Sequence, residues 1–109
     1  MYAKARILEK DLDGASLLVC PGCGDHNLHQ CVVEVFNRYQ EDNSAGLHVV
    51  INDQALTRDM HMDGNPSSRR DGMYIYFACE HCPGIVRLSI VQHKGNTLVE
   101  CSYQETADA

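Results

Sequence analysis

Two pairs of cysteines, each separated by two residues, constrain the fold of this 109-residue chain more than any other feature. They are Cys20 and Cys23 in CPGCG, and Cys79 and Cys82 in CEHCPG. A two-residue gap lets both sulfurs of one turn point at the same ion, and Zn²⁺ prefers four ligands in a tetrahedron, which four thiolates supply. The spacing therefore predicts one structural zinc ion per chain, held by these four cysteines.

Other thiol chemistries and other ligands are alternatives to this prediction. A single CxxC pair can be a redox motif of the thioredoxin type, but no βαβ pattern follows either pair. Six cysteines can make three disulfides in a secreted protein. His26, His29 and His81 lie near the pairs and can replace a cysteine, although beside four thiolates they are more typical of supporting or solvent-facing groups. We predict that Cys31 and Cys101 pack in the core as small hydrophobic side chains.

The segments CPGCG and CEHCPG, together with the strands predicted around them, resemble those of zinc-ribbon proteins, in which two CxxC knuckles lie at the ends of β-hairpins. The resemblance covers roughly residues 16–30 and 74–101. The chain differs at Pro83, which lacks the backbone N–H that can bond a sulfur at that position. The chain also resembles small uncharacterised zinc-ribbon proteins of bacteria and their phages, which implies a regulator or inhibitor of a larger assembly.

The predicted metal site favours a structural role over a catalytic one. A catalytic zinc keeps an open position for water beside three protein ligands, whereas four thiolates close the site. A zinc deaminase needs an H-x-E motif ahead of P-C-x-x-C, but Val19 precedes Cys20 and Ala78 precedes Cys79. The sequence also has no Gly-rich phosphate loop and no nucleophile elbow. We therefore expect a protein that is not an enzyme.

Alternating apolar residues predict a mainly β, antiparallel domain. The runs ARILEK and ASLLVC, joined by DLDG, predict a hairpin within residues 3–20. Further strands are predicted in LHQCVVEVFNRY, LHVVIN, GMYIYFAC, IVRLSIVQ and TLVECSY. Residues 1–103 form one predicted domain, and residues 104–109 a frayed tail. The exception is segment 52–72, for which we predict a long loop or a short helix with Asp53 as its N-cap.

Segment 52–72 and the strands after it carry the candidate residues outside the cysteine pairs. If the segment is extended, Asp59, His61 and Asp63 share a face and form a candidate metal site for a metal-dependent enzyme, the alternative being a solvated polar loop. Arginines near a turn can bind a phosphate or carboxylate, although Asp71 can pair with them instead. Tyrosines on a sheet face can stack on bases or cover an interface. The candidate partner-binding residues are Arg69, Arg70, Arg87, Tyr74 and Tyr76.

The net charge of the chain indicates which classes of binding partner are favoured. The formal charge of -6 opposes broad binding to nucleic acid, which needs a surplus of Lys and Arg. The start of the chain, MYAKARILEKDLDG, holds no apolar stretch long enough for a signal peptide or a membrane span, so we expect a cytoplasmic protein. We predict a non-enzymatic module that contacts another protein, with a nucleic-acid-binding ribbon as the alternative. A homodimer is compatible with edge strands that need pairing.

Overall fold

The structure, a computed structural model, describes residues 3–5, 8–10, 16–40 and 44–105. Within these ranges the chain forms nine strands and no helix, which confirms the mainly β prediction. The strands are β1 (Ala3–Ala5), β2 (Leu8–Lys10), β3 (Ser16–Leu18), β4 (Leu28–Arg38), β5 (Ala45–Asn52), β6 (Ala55–His61), β7 (Gly72–Cys79), β8 (Ile85–His93) and β9 (Asn96–Gln104).

Seven of these strands form one antiparallel sheet in the order β1-β9-β8-β7-β4-β5-β6. β2 and β3 pair separately as the predicted N-terminal hairpin, with Leu8 opposite Leu18, while the Asp13-Gly14 turn lies outside the described residues. Gln104, which we predicted in the tail, still belongs to β9, and residues 106–109 also lie outside the description. The described chain offers no helix with the length and apolar character that a membrane crossing requires.

A β-bulge in β4 moves one cysteine away from its predicted position. The register of β4 on β7 shifts between Gln30 and Val32, so Cys31 is the extra residue of the bulge. Its side chain is exposed, and its sulfur lies 3.4 Å from the carbonyl oxygen of Tyr76. The prediction that Cys31 packs in the core is therefore wrong, because the bulge interrupts the alternation on which it depended.

The first part of segment 52–72 is a strand, so the prediction of a loop or helix is wrong there. β6 pairs with β5 as a hairpin, with Asn52 opposite Ala55. Asp53 and Gln54 have φ values of 52° and 69°, as the central residues of a two-residue type I′ turn do. Asp53 begins this turn instead of capping a helix, because aspartate tolerates the left-handed backbone that the turn requires.

The rest of that segment, residues 62–71, is irregular and covers one side of the sheet at Phe36. The Phe36 side chain is 1% exposed, and Met62, the first residue of this segment, is buried as well. Arg38 donates a hydrogen bond from Nη2 to the carbonyl of Ser67 at 2.9 Å, and the Ser67 hydroxyl donates to a carbonyl of β8 at 2.8 Å. These bonds tie the irregular segment to β4 and β8, so it is an ordered cover and not a free loop.

A second small core lies on the opposite side of the sheet, beside the cysteine pairs. Cys20, Val86 and Cys101 are fully buried together, which confirms the core position predicted for Cys101. Burial raises the pKa of Cys101 to about 11, so it stays a neutral thiol near neutral pH. The residues packed around this core include Leu18, Leu28, Phe77, Leu88 and Tyr103. This core fixes β8 and β9 against the segment that carries the first cysteine pair.

Candidate metal centre

Four cysteine side chains converge where the turn after β3 meets the turn between β7 and β8. The Sγ atoms of Cys20, Cys23, Cys79 and Cys82 all lie within 4.8 Å of one another. The closest contacts cross between the two turns, with 3.5 Å from Cys20 to Cys82 and 3.5 Å from Cys23 to Cys79. Four sulfurs at about 2.3 Å from a tetrahedral zinc lie about 3.8 Å apart, so the four fit such an ion. The cluster can therefore hold a metal ion.

The first turn, residues 20–25, is here called the first knuckle, and its backbone is organised around its own cysteines. The N–H of Gly22 donates to the Cys20 sulfur at 3.3 Å, and the N–H of Asp25 donates to the Cys23 sulfur. The N–H of Gly24 donates to the Cys20 carbonyl at 2.8 Å, with Gly24 at a φ of 82°. Glycine adopts this left-handed conformation without steric cost, and the chain reverses there.

The second turn, residues 79–84, is the second knuckle and repeats this pattern. The N–H of His81 donates to the Cys79 sulfur at 3.5 Å, and the N–H of Gly84 donates to the Cys82 sulfur. In each knuckle, then, both sulfurs accept an N–H from the residue two positions further on. Pro83 does not disturb this symmetry, because the donor to Cys82 is the residue after the proline.

A tyrosine from β9 lies between the two knuckles. A Cβ at Gly22 would lie 2.7 Å from the ring of Tyr103, and a Cβ at Gly84 would overlap the same ring more deeply. The Tyr103 hydroxyl donates a hydrogen bond to the Cys82 sulfur. Because neither glycine has a side chain, both knuckles can close on the ring and bring their sulfurs together.

The thiol pKa values bear on the charge that the cluster can carry without a metal. Burial raises the pKa of Cys20 to about 12. Burial also acts to raise the pKa of Cys82, but hydrogen bonds from the Tyr103 hydroxyl and the Gly84 N–H outweigh it and lower that pKa to about 7. Four thiolates therefore do not coexist at neutral pH without a positive charge among them. A metal ion bound at the cluster would supply that charge, and its binding would release the remaining thiol protons.

The three histidines near the knuckles lie outside the four-sulfur cluster. His29 pairs with Glu80, and the Nε2 atom of His81 lies 3.4 Å from the carboxylate of Asp25. His26 is exposed. The His81–Asp25 contact joins one knuckle to the other at the surface, where an ion pair contributes little to stability.

The candidate metal site on segment 52–72 does not assemble. Asp59 uses Oδ1 to accept the backbone N–H of His61 at 2.8 Å, and the same oxygen contacts Nδ1 of His48 at 2.9 Å. Asp63 follows β6 in the irregular segment and is exposed. Within the described part of the chain, the four cysteines are the one group of Cys, His, Asp or Glu side chains that can hold a metal ion.

The three candidate arginines do not lie at one place on the sheet. Arg69 and Arg70 lie in the irregular segment shortly before β7, and the backbone carbonyl of Arg70 accepts a hydrogen bond from Nε of Arg38 at 3.2 Å. Arg87 lies on β8 opposite Tyr76, which is about 14 Å along β7 from its first residue. The fold therefore does not bring these three residues together as a single basic patch.

Arg87 does come together with the two candidate tyrosines. Its guanidinium carbon lies 4.3 Å from the centroid of the Tyr74 ring, in a cation–π contact. The Tyr76 hydroxyl donates to Oε1 of Glu34 at 3.2 Å. Burial, followed by the charge of Glu34, raises the pKa of Tyr76 to about 12. Both tyrosines are half-buried.

Sequence reasoning missed a histidine held between two carboxylates on the same side of the sheet. His48 places Nε2 at 2.7 Å from Glu34 and Nδ1 at 2.9 Å from Asp59, while its ring stacks on Phe36 at a centroid distance of 4.3 Å. The three strands that supply these residues are neighbours, so only the register brings them together. We call this surface the polar face; it comprises Asp59, His48, Glu34, Tyr74, Tyr76 and Arg87.

We expect His48 to keep its proton to a higher pH than an ordinary histidine. Burial acts to lower its pKa, but the hydrogen bonds and charges of Glu34 and Asp59 outweigh burial and raise the pKa above 6.5. Protonated His48 therefore stabilises the folded state. This contribution to the free energy of unfolding is fully present below the pKa of the unfolded-state histidine and is lost as the pH rises through the pKa of the folded state. NMR titration of the His48 ring should show the raised pKa and its decrease in Asp59→Asn. The control Asp63→Asn should leave it unchanged, and an equal decrease in both variants would contradict this assignment.

The chain was compared with known proteins at the levels of family, sequence and structure. No family model, no curated protein and no solved structure matches it. Its function is therefore argued from the geometry described above.

Proposed function

We propose that this protein is a non-enzymatic, zinc-stabilised binding module that regulates or inhibits another protein through direct contact. The observation that carries the proposal is the convergence of four cysteine sulfurs within 4.8 Å. Soft thiolate ligands in a tetrahedral set suit zinc, and a zinc ion with four protein ligands has no open position for a substrate or water. The metal then holds the two knuckles together, and binding takes place elsewhere on the sheet.

The polar face supports protein contact as the mode of binding. Tyrosine and arginine are the residue types that most often dominate the energetics of protein interfaces. Tyr74, Tyr76 and Arg87 lie on two adjacent strands, and their mutual contacts hold them in place before any partner arrives. A surface organised in this way loses little side-chain entropy on binding, which favours affinity.

Charge on the same face argues for a protein partner over a nucleic acid. Glu34 and Asp59 accompany the single arginine of the polar face, and Glu100 extends from β9 on the same side. The chain as a whole carries a net charge of -6. A phosphate backbone would meet repulsion here, whereas a partner protein with basic residues would meet complementary charge.

The polar face is expected to be needed for partner capture. The zinc-loaded chain is immobilised and exposed to an extract of the cells that produce it, beside Arg87→Gln and the control Asn96→Ala at the first residue of β9. We expect a protein retained by the parent chain and the control, and about tenfold or more weaker retention by Arg87→Gln, as is usual for an interface hot spot. Quantitative mass spectrometry measures the retained protein.

Two results would contradict the proposal. Retained material that nuclease removes would favour the nucleic-acid alternative. Equal retention by Arg87→Gln and the parent chain would exclude the polar face as the contact surface. Zinc content is measured on each sample, so that a folding defect in a variant is recognised before its retention is interpreted.

A further inference from the structure

The side of the sheet opposite the polar face is apolar across six strands. In-register partners of an antiparallel sheet share a face, so the pairings align two complete rows of side chains. The first row contains Leu56, Ile51, Val33, Ile75, Leu88 and Cys101. The second row contains Arg58, Val49, Val35, Met73, Ile90 and Val99. We call these twelve positions the apolar face; eleven of them are hydrophobic, and the exception lies on the edge strand β6.

Little of the described chain covers this face. The core beside the knuckles covers its corner at Cys101 and part of Leu88. Elsewhere Ile51 is 43% exposed, Leu56 59% and Val99 51%, and the central side chains are only half-buried by their neighbours in the same sheet. In the described ranges, the extensive contacts between strands are those between hydrogen-bonded neighbours. Over the described residues the sheet is thus one layer whose apolar side is open away from the knuckles, whereas stable domains bury such a side against a second layer.

The charge distribution of the chain favours contact between the apolar faces of two copies. The net charge of -6 makes two copies repel each other over most of their surfaces. The two rows contain no acidic residue, so this is where two copies can approach without that repulsion. Arg58 lies on the edge strand, from which a long side chain can reach water at the rim of an interface.

The size of the face also reaches the lower limit for a specific dimer interface. Each position on one side of a sheet covers about 33 Å² in plan, given strands 4.8 Å apart and about 6.8 Å between residues on the same side. Without the buried Cys101, the two rows and four positions beyond them, Asn37, Leu47, Gln92 and Thr97, then cover about 500 Å² on each copy. Two copies bury about 1,000 Å², which is about the smallest area of a specific interface.

We infer that two copies of this chain pack their apolar faces together as a two-layer β-sandwich with two-fold symmetry. Two sheets stacked face to face lie about 10 Å apart and interdigitate their inward side chains. In a two-fold pair each copy supplies the same surface, so the second layer matches the first in extent. The polar faces then point outward on opposite sides of the dimer, which leaves both available for contact with other molecules. The inference does not depend on the nature of the partner of the polar face.

Neighbouring residues on β9 provide a matched test. Leu98 and Val99 are 49% and 51% exposed, but consecutive residues of a strand point to opposite sides, and only Val99 belongs to the apolar face. The zinc-loaded chain is studied under reducing conditions by sedimentation velocity and light scattering. We expect the parent chain at twice its 12.2 kDa mass and Leu98→Lys at the same mass. Val99→Lys should raise the dimer dissociation constant about tenfold or more, because it places an unpaired charge in the interface.

A second variant tests whether misfolding, instead of a lost interface, explains a loss of the dimer. Val35→Lys lies at the centre of the face and should give a monomer that keeps its zinc and its β-sheet circular dichroism, since this position is open in the single chain. A parent chain that sediments at 12.2 kDa at about 100 μM overturns the inference. Equal weakening by Leu98→Lys and Val99→Lys overturns it as well, and points to pairing through strand edges. A parent chain that forms only a heteromeric complex assigns the face to a different protein.

Discussion

Replacing Cys20 by serine is expected to release the zinc and unfold the domain. Cys20 is the most buried of the four clustered cysteines, at 1% exposure, and belongs to the core with Val86 and Cys101. Structural zinc contributes roughly 10–16 kcal/mol to the folded state of zinc-finger peptides, which matches or exceeds the roughly 5–15 kcal/mol that stabilises an ordinary domain. Weakening the site therefore removes as much free energy as the fold has available.

The measurement combines zinc content by elemental mass spectrometry with thermal unfolding followed by circular dichroism. The parent chain should contain one zinc per chain, and Cys20→Ser and Cys82→Ser should each contain much less and lack a cooperative transition. The matched control is Cys31→Ser, because Cys31 is an exposed cysteine in the bulge of β4, away from the four-sulfur cluster. Zinc loss from the Cys31 variant equal to that from the Cys20 variant would contradict the ligand assignment.

The second large effect is expected at Gly84, which has no direct role in binding the metal. A methyl group at this position would overlap the ring of Tyr103, whose hydroxyl bonds the Cys82 sulfur. The ring cannot move without shifting β9 or breaking that bond, so Gly84→Ala should destabilise the domain by about 3 kcal/mol or more, the upper part of the range for overpacked sites. For a domain of about 100 residues, this corresponds to a decrease in Tm of about 12 °C or more.

Two further variants separate this steric effect from a general cost of alanine. Gly64→Ala is the control, because a Cβ there meets the Phe36 ring at 3.4 Å, an ordinary contact distance. In the second variant, Tyr103→Ala is combined with Gly84→Ala, and the loss in free energy of unfolding should be clearly less than the sum of the two single losses. Additive losses, or an equal effect of Gly64→Ala, would show that the ring does not limit position 84.

The cysteine cluster was predictable because its signal is local. Each CxxC pair specifies a turn whose two sulfurs point the same way, and the strands beside the pairs have clear alternation. The symmetry of the knuckles at Pro83 was not predictable from residue types, since it depends on which N–H reaches the sulfur. The close approach of Gly22 and Gly84 to Tyr103 also requires the tertiary structure, because β9 begins well after both knuckles in sequence.

The errors in the predicted fold came from features that residue type does not determine. A bulge such as that at Cys31 is set by the pairing of β4 with β7, and the alternation within β4 alone gives no sign of it. Asp53 is compatible with both a helix N-cap and a left-handed turn, and the pairing of β6 with β5 selects the turn. The His48 site and the apolar face likewise arise from register, which aligns residues of strands that are each unremarkable in sequence.

The distance in sequence between the two knuckles has a consequence for synthesis. The Cys20 and Cys82 sulfurs lie 3.5 Å apart, yet 62 positions separate them. A ribosome adding about 5–20 residues per second needs roughly 3–12 s to travel from the first of these cysteines to the last. During that interval the growing chain carries two thiols without their opposite pair, while the β4–β5–β6 hairpins are already complete. Binding of a metal by all four cysteines would therefore be a late event in the synthesis of each chain, and the metal would then join the two knuckles.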